Sequence, residues 1–232
     1  MKNILKRLKK TIKNIAFKEK GITKKDIIKY LPNNPIILEA GAAEGGDTVE
    51  FSELLPDARI YAFEPVSKTF KILAENVKTR PNVTIYNMAL SDTVGEAQIN
   101  ISSKIDNRDE AATSSTLLNP KGHLSFHKNI VFDTTETIKT ITLDEWAKEN
   151  KIEKVDFMWL DMQGMEYRVL NSSPEIFKTV KLLYTEVSLK EMFEGAPLYD
   201  TFKKWLKDKG FKVVKEEFLW EDMGNVLFIR KK

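Results

Sequence analysis

The chain has 232 residues, 42% of them apolar and 31% charged, the composition of a folded domain with a sizeable core and not of a disordered or fibrous protein. It has no cysteine and only two histidines, His123 and His127, which excludes disulfide frameworks, thiolate zinc sites, iron–sulfur clusters, a cysteine nucleophile and a histidine-rich metal site. The net charge of +3 is uneven: residues 1–30 carry eleven Lys or Arg against two acids, leaving a mildly acidic body that is not built to track nucleic acid.

At the N-terminus Ile4, Leu5, Leu8, Ile12, Ile15 and Ala16 share one face of a helix whose other side is lysine, so residues 1–32 read as a basic amphipathic helical arm. Its apolar face is expected to dock on the body or on a second subunit of a homo-oligomer. Peripheral contact with an anionic membrane through residues 1–18 is the weaker alternative, and nucleic acid the weakest. No apolar run is long enough to span a bilayer, and the arm lacks the apolar segment of a secretion signal, so a cytoplasmic protein, peripheral to a membrane at most, is expected. A second helix, 23–31, is capped by Thr23 with Asp26 three residues on, and Pro32-Asn33-Asn34-Pro35 ends it.

From residue 33 short apolar runs alternate with helical patterns. Ile36 to Leu38 is a strand running into Glu39-Ala40-Gly41, and Val49, Phe51, Leu54 and Leu55 mark the helix after it. Ile60 to Phe63 is the next strand, ending at Glu64-Pro65; Phe70, Leu73 and Val77 give a helix face, and Val83 to Tyr86 a third strand. Such alternation builds right-handed crossovers and a parallel sheet covered by helices on both faces. Between about 95 and 142 the pattern changes: Ala97 to Ile101 and Thr137 to Ile141 alternate in period two, as an antiparallel pair would, around a polar stretch. This insertion is expected to form a lid on the substrate side of a single domain, 33–232. Strands then resume at 155–160 and 180–187, a helix follows with Leu198, Phe202, Trp205 and Leu206 on one face, and 211–218 with 226–229 form an antiparallel hairpin at the sheet edge. An α/β fold of this kind, seven mostly parallel strands closed by a hairpin, has the Rossmann-like layout of class I methyltransferases.

The turn Leu38-Glu39-Ala40-Gly41-Ala42-Ala43-Glu44-Gly45-Gly46 takes a strand through glycine directly into a helix, which lets a ligand approach the backbone. Its glycines do not have the G-x-G-x-x-G spacing that admits a pyrophosphate. Glu64, about 20 residues on at the end of the second strand, stands where such folds place an acid on ribose hydroxyls. Together they indicate a nucleoside and leave NAD and S-adenosylmethionine both open.

ILEAGAAEGGDT, then AFEP at 62–65, NMALSD at 87–92, SSTLL at 114–118, TLDEW at 142–146 and LDMQGME at 160–166, in this order, resemble the FkbM family of S-adenosylmethionine-dependent methyltransferases. The resemblance covers roughly residues 33–230. It implies S-adenosylmethionine as cofactor and O-methylation of a hydroxyl on a small-molecule or glycan acceptor. It also implies that Glu39, Gly41 and Ala42 line the methionine end of the cofactor, that Glu64 holds the ribose, and that Val66, Met88 and Ala89 flank the adenine. Asp161 would face the cofactor's amino group or the acceptor, and Ser114, Ser115 and Gln163 the acceptor. Two departures stand out. Where the family commonly has Lys-Ile-Asp-x-Glu-Gly, this chain has Trp159-Leu160-Asp161-Met162-Gln163-Gly164, so a positive charge and a carboxylate are both missing.

An alcohol acceptor loses a proton during methyl transfer, and Asp161 is the first candidate base; Glu186, at the end of the fifth parallel strand, and His127 are the others. His123 and His127 lie four apart without the glutamate of a zincin motif. Asp161, Glu166 and Glu186 are also a possible oxygen-ligand set for a magnesium ion, a reading ranked below a metal-free site. Against the methyltransferase stand two alternatives: an RNA methyltransferase using the basic arm, and a catalytically silent nucleotide-binding or scaffold protein, which the departures at 159 and 163 permit.

Overall fold

The computed structural model describes residues 21–107, 114–218 and 221–231; the predicted arm helix lies outside the described residues. Helix α1 (Lys24–Ile28) has the anticipated capping box, with Thr23 and Asp26 exchanging side-chain and backbone hydrogen bonds. It ends three residues earlier than the apolar pattern suggests. Tyr30 and Leu31 donate instead to carbonyls three residues back, which tightens the chain before the proline pair.

The body follows the expected alternation: β1 (Ile36–Ala40), α2 (Gly46–Leu54), β2 (Arg59–Phe63), α3 (Ser67–Val77), β3 (Val83–Tyr86) and a short β4 (Ala89–Leu90). The insertion contributes β5 (Gly95–Lys104), α4 (His123–Phe126) and β6 (Ile130–Ile141). Then come α5 (Leu143–Glu149), β7 (Phe157–Leu160), α6 (Glu166–Ser172), α7 (Pro174–Phe177), β8 (Leu182–Ser188), α8 (Tyr199–Asp208), β9 (Phe211–Glu217) and β10 (Met223–Arg230). The main sheet has seven strands in the order β3-β2-β1-β7-β8-β10-β9. Only β10 runs against the rest, because the terminal hairpin folds back so that the last strand pairs with β8 and the penultimate one becomes the edge.

Every residue of β1 is buried, as a central parallel strand covered on both faces requires. The larger core cluster lies on one face, where Trp146 of α5, fully buried, is met edge-on by Phe63 and Tyr61 at 5.3 and 5.2 Å. Phe51, Phe157, Leu182 and Leu227 form the core of the other face. Leu198 does not join the α8 stripe as its spacing suggests. It is the N-cap residue and exposed, so Tyr199, Phe202 and Leu206 bury the helix.

The insertion forms a second, three-stranded sheet in the order β4-β6-β5. Its β5 and β6 are the antiparallel pair read from period-two alternation, β5 longer at both ends and β6 starting seven residues earlier; β4, only two residues, pairs in parallel with β6. From β1 the chain goes outward to β2 and β3 on one side and to β7 and β8 on the other. The β1–β7 seam is therefore the topological switch point, where ligands bind at the carboxyl ends of the strands.

Candidate active site

At the switch point Gly41 follows β1 with φ +82°, and a Cβ placed there would come within 1.8 Å of the Asp161 carbonyl oxygen. Only glycine lets β1 and β7 close this tightly, with the Asp161 amide donating to Ala40 at 2.9 Å. Ala43, also left-handed at φ +49°, turns its N–H onto Glu64 Oε2 at 3.0 Å, while Glu64 Oε1 accepts from the Val66 amide at 2.8 Å. The Glu64 carboxylate is thus pinned at the end of β2. Burial pushes its pKa up to about 7, against the lowering effect of the two backbone donors.

A cleft of about 750 Å³ opens here, roofed by the second sheet through Ile99, Ser115, Thr116 and Leu117. Of the residues singled out from sequence, Gly41, Glu64, Val66, Met88, Ala89, Ser115, Asp161 and Gln163 line it. Thr69, just past the AFEP motif, and Met162 and Met165, inside LDMQGME, line it as well, though sequence reasoning assigned none of them a role. Its charges are of one sign. Glu44, Glu64 and Asp161 face the space, and among the described lining residues there is no Lys, Arg or His. Burial raises the Asp161 pKa, opposed by a 2.5 Å hydrogen bond from the Gln163 amide.

Other expected residues lie off the lining. Glu39 is buried behind the turn, accepting from the Thr48 hydroxyl at 2.6 Å, and burial pushes its pKa up to about 8. Ala42 packs against Ala62, Leu73 and Val77. Ser114 donates its amide to the Ser102 hydroxyl within the second sheet's connection. The His123 and His127 rings lie 4.7 Å apart and tilted by 40°, and His123 also contacts Phe132 and Phe193; burial holds His123 down at about 4 and lowers His127. Glu186 lines a second cavity beyond Gln163, whose amide donates to Glu186 Oε2 at 3.2 Å as well as to Asp161. The magnesium set therefore does not assemble: Asp161 and Glu186 are bridged by an amide, and no group of three or more His, Asp or Glu suited to a metal ion occurs among the described residues.

A cation lies against the departure at position 159. Lys24 of α1 lies 3.6 Å from the centroid of the Trp159 ring and ion-pairs with Asp47, and Tyr184 stacks on the other face of Trp159 at 3.7 Å.

Residues 39–213 match the family described as Methyltransferase FkbM domain. The chain belongs to this family. It is a methyltransferase of the class I fold, and S-adenosylmethionine is its methyl donor. Its relatives include 2-O-methyltransferase NoeI of Sinorhizobium fredii (strain NBRC 101917 / NGR234), 31% identical over 162 residues, covering 70% of this chain and 67% of that protein. Methyltransferase sdnD of Sordaria araneosa is 23% identical over 217 residues, covering 83% and 80%. Among solved structures, a fibrillarin/Nop5p complex superposes with a TM-score of 0.51 at 20% identity, covering 87% of this chain and 75% of that one. Aeropyrum pernix fibrillarin with natively bound S-adenosyl-L-methionine gives 0.50 at 15%, covering 86% and 69%; both bear on the fold alone.

The cleft fits this cofactor by the chemistry of its donors. A dinucleotide would bring an anionic pyrophosphate against three carboxylates, whereas S-adenosylmethionine brings a sulfonium and an ammonium. That sign decides between the two nucleosides the turn and acid left open.

Proposed function

We propose that this chain methylates a hydroxyl group of a small molecule or glycan, with Asp161 as the base. The carrying observation is the carboxylate-lined cleft at the switch point, with no Lys, Arg or His among its described lining residues and Asp161 in that lining. The name of the NoeI relative, a 2-O-methyltransferase, supports oxygen as the acceptor atom. In this reading Glu64 holds the ribose hydroxyls with the lone pairs its two backbone donors leave free, Val66, Met88 and Ala89 pack on the adenine, and the Gly41 turn admits the methionine end. The cofactor would supply a methyl group activated on a sulfonium, which an acceptor oxygen would take in exchange for a neutral thioether, and Asp161 would accept the proton the hydroxyl loses. The chain's part is alignment, exclusion of water under the roof of the second sheet, and acceptance of that proton.

Calorimetry tests the binding half. S-adenosylmethionine and S-adenosylhomocysteine should both bind and NAD should not; tight NAD binding would overturn the reading. The acceptor half is tested by comparing metabolites and glycans of a deletion strain with its parent, where the hydroxyl left unmethylated names the acceptor.

A further inference from the structure

The Gln163 amide links the cofactor cleft to the cavity beyond it, bonding Asp161 in the lining of one and Glu186 in the lining of the other. This second cavity lies between the end of β8, the Gly164 turn and the segment leading into α8. Two carboxyls, Glu166 and Glu186, stand in its wall, and Tyr167, Phe193, Tyr199 and Phe202 supply rings. These rings are held in place: the Tyr199 hydroxyl donates to Glu216, and Tyr167 meets Phe202 edge-on with centroids 6.4 Å apart. The dividing turn is equally fixed. Gln163 and Gly164 are both left-handed, at φ +51° and +98°, and the Thr116 hydroxyl donates to the Gln163 carbonyl at 3.0 Å.

The orientation of the Gln163 amide follows from its neighbours. Both partners are carboxyl oxygens, so the NH2 end points at them, one contact in each cavity. The contact to Asp161 is 2.5 Å and that to Glu186 3.2 Å, so the weaker bond is on the side of the second cavity.

We propose that this second cavity seats the methyl acceptor as an uncharged, hydroxyl-bearing ring, one of whose hydroxyls displaces the Gln163–Glu186 hydrogen bond and so stands beside Asp161. The inference rests on the proposed O-methylation and adds where the acceptor sits and what it is. A ring follows from the walls, since the apolar faces of such a ring suit the side chains of Tyr167, Phe193, Tyr199 and Phe202. Hydroxyls both donate and accept, which suits two carboxyls and an amide at once; an anion meets Glu166 and Glu186 unfavourably, and an aliphatic chain leaves both carboxyls unpaired. Burial, with neighbouring carboxylates, raises the pKa of both groups, which is consistent with a neutral partner.

Saturation-transfer NMR on the full chain loaded with S-adenosylhomocysteine tests this. The probes are methyl glucoside, methyl xyloside and myo-inositol as neutral rings, glucosamine as a cation and glucose 6-phosphate as an anion. Ring protons of at least one neutral probe should receive saturation, the anion should receive none and the cation less than the neutral ring. Ala196→Trp, which fills the cavity from a lining position that is not part of the cofactor cleft's own lining, should abolish the signal and leave the S-adenosylhomocysteine dissociation constant within about twofold. Should that variant misfold, Val187→Phe is the second block. Neutral-ring signals that survive the filled cavity, preference for a charged probe, or no saturation of any probe by a cofactor-loaded protein would each overturn the assignment. Failure of the protein to bind S-adenosylhomocysteine would instead overturn the cofactor reading on which it rests.

Discussion

Two carboxylates of the cleft have different work, and substitution separates them. Glu64 binds through charge-assisted hydrogen bonds, which are worth about 1.5–3 kcal/mol each, so Glu64→Ala should weaken S-adenosylmethionine binding about 10- to 150-fold in calorimetry. Asp161 is proposed to accept a proton. Asp161→Asn keeps the shape and loses the proton site, so kcat should fall by about 10²–10⁴ while the cofactor dissociation constant changes far less. Equal losses in both quantities would make it a binding residue. Because burial raises the Asp161 pKa, the base is lost on the acid side at a higher pH than an ordinary carboxylate would be: kcat should rise with pH through a value above the usual aspartate range and then level off. Glu64 and Asp161 were legible in the sequence because each ends a parallel strand. The amide bridge from Gln163 to Glu186 was not, since it joins residues 23 apart through a left-handed turn that no periodicity announces.

Among the elements, the strand-helix alternation was readable from apolar runs because the central parallel strands β1, β7 and β8 are buried on both faces. β4 escaped notice because two residues carry no periodicity, and the early stop of α1 because apolar spacing continues past the last helical hydrogen bond. The turn after β1 carries the sharpest element-level prediction. Gly41→Ala would put a methyl group against the Asp161 carbonyl and adopt a left-handed backbone that costs about 1–2 kcal/mol by itself. With about 2–4 °C per kcal/mol in a domain of this size, Tm should drop by several degrees and cofactor binding should be lost with the β1–β7 geometry. Trp159 shows how an element absorbs a departure from the family pattern. Trp159, in place of lysine on β7, carries Lys24 of α1 over its ring, so Lys24→Met should lower Tm, by up to about 2 kcal/mol of stability from a largely desolvated cation–π contact, and leave kcat nearly unchanged.

The molecule as a whole buries several carboxyls whose pKa values lie above the ordinary range, Glu39 at about 8 and Glu64 and Glu166 at about 7. Folding favours their protonated forms, so the unfolded chain releases these protons first. Their contribution to stability is present below about pH 4.5 and is lost as pH rises through 7 to 8, at a slope of up to about 1.4 kcal/mol per pH unit for each group. Thermal unfolding of the ligand-free protein should therefore show Tm falling between pH 5 and 8, and Glu39→Gln, which mimics the neutral acid, should flatten part of that decline. The single sign of charge in the cleft has a consequence for turnover. Methyl transfer converts a sulfonium into an uncharged thioether, so the spent cofactor faces the same carboxylates with one less positive charge than the fresh one. The site thus discriminates against its own product, and the ratio of the two dissociation constants should shrink as pH falls through about 7 and Glu64 takes up a proton, making product inhibition an acid-side phenomenon.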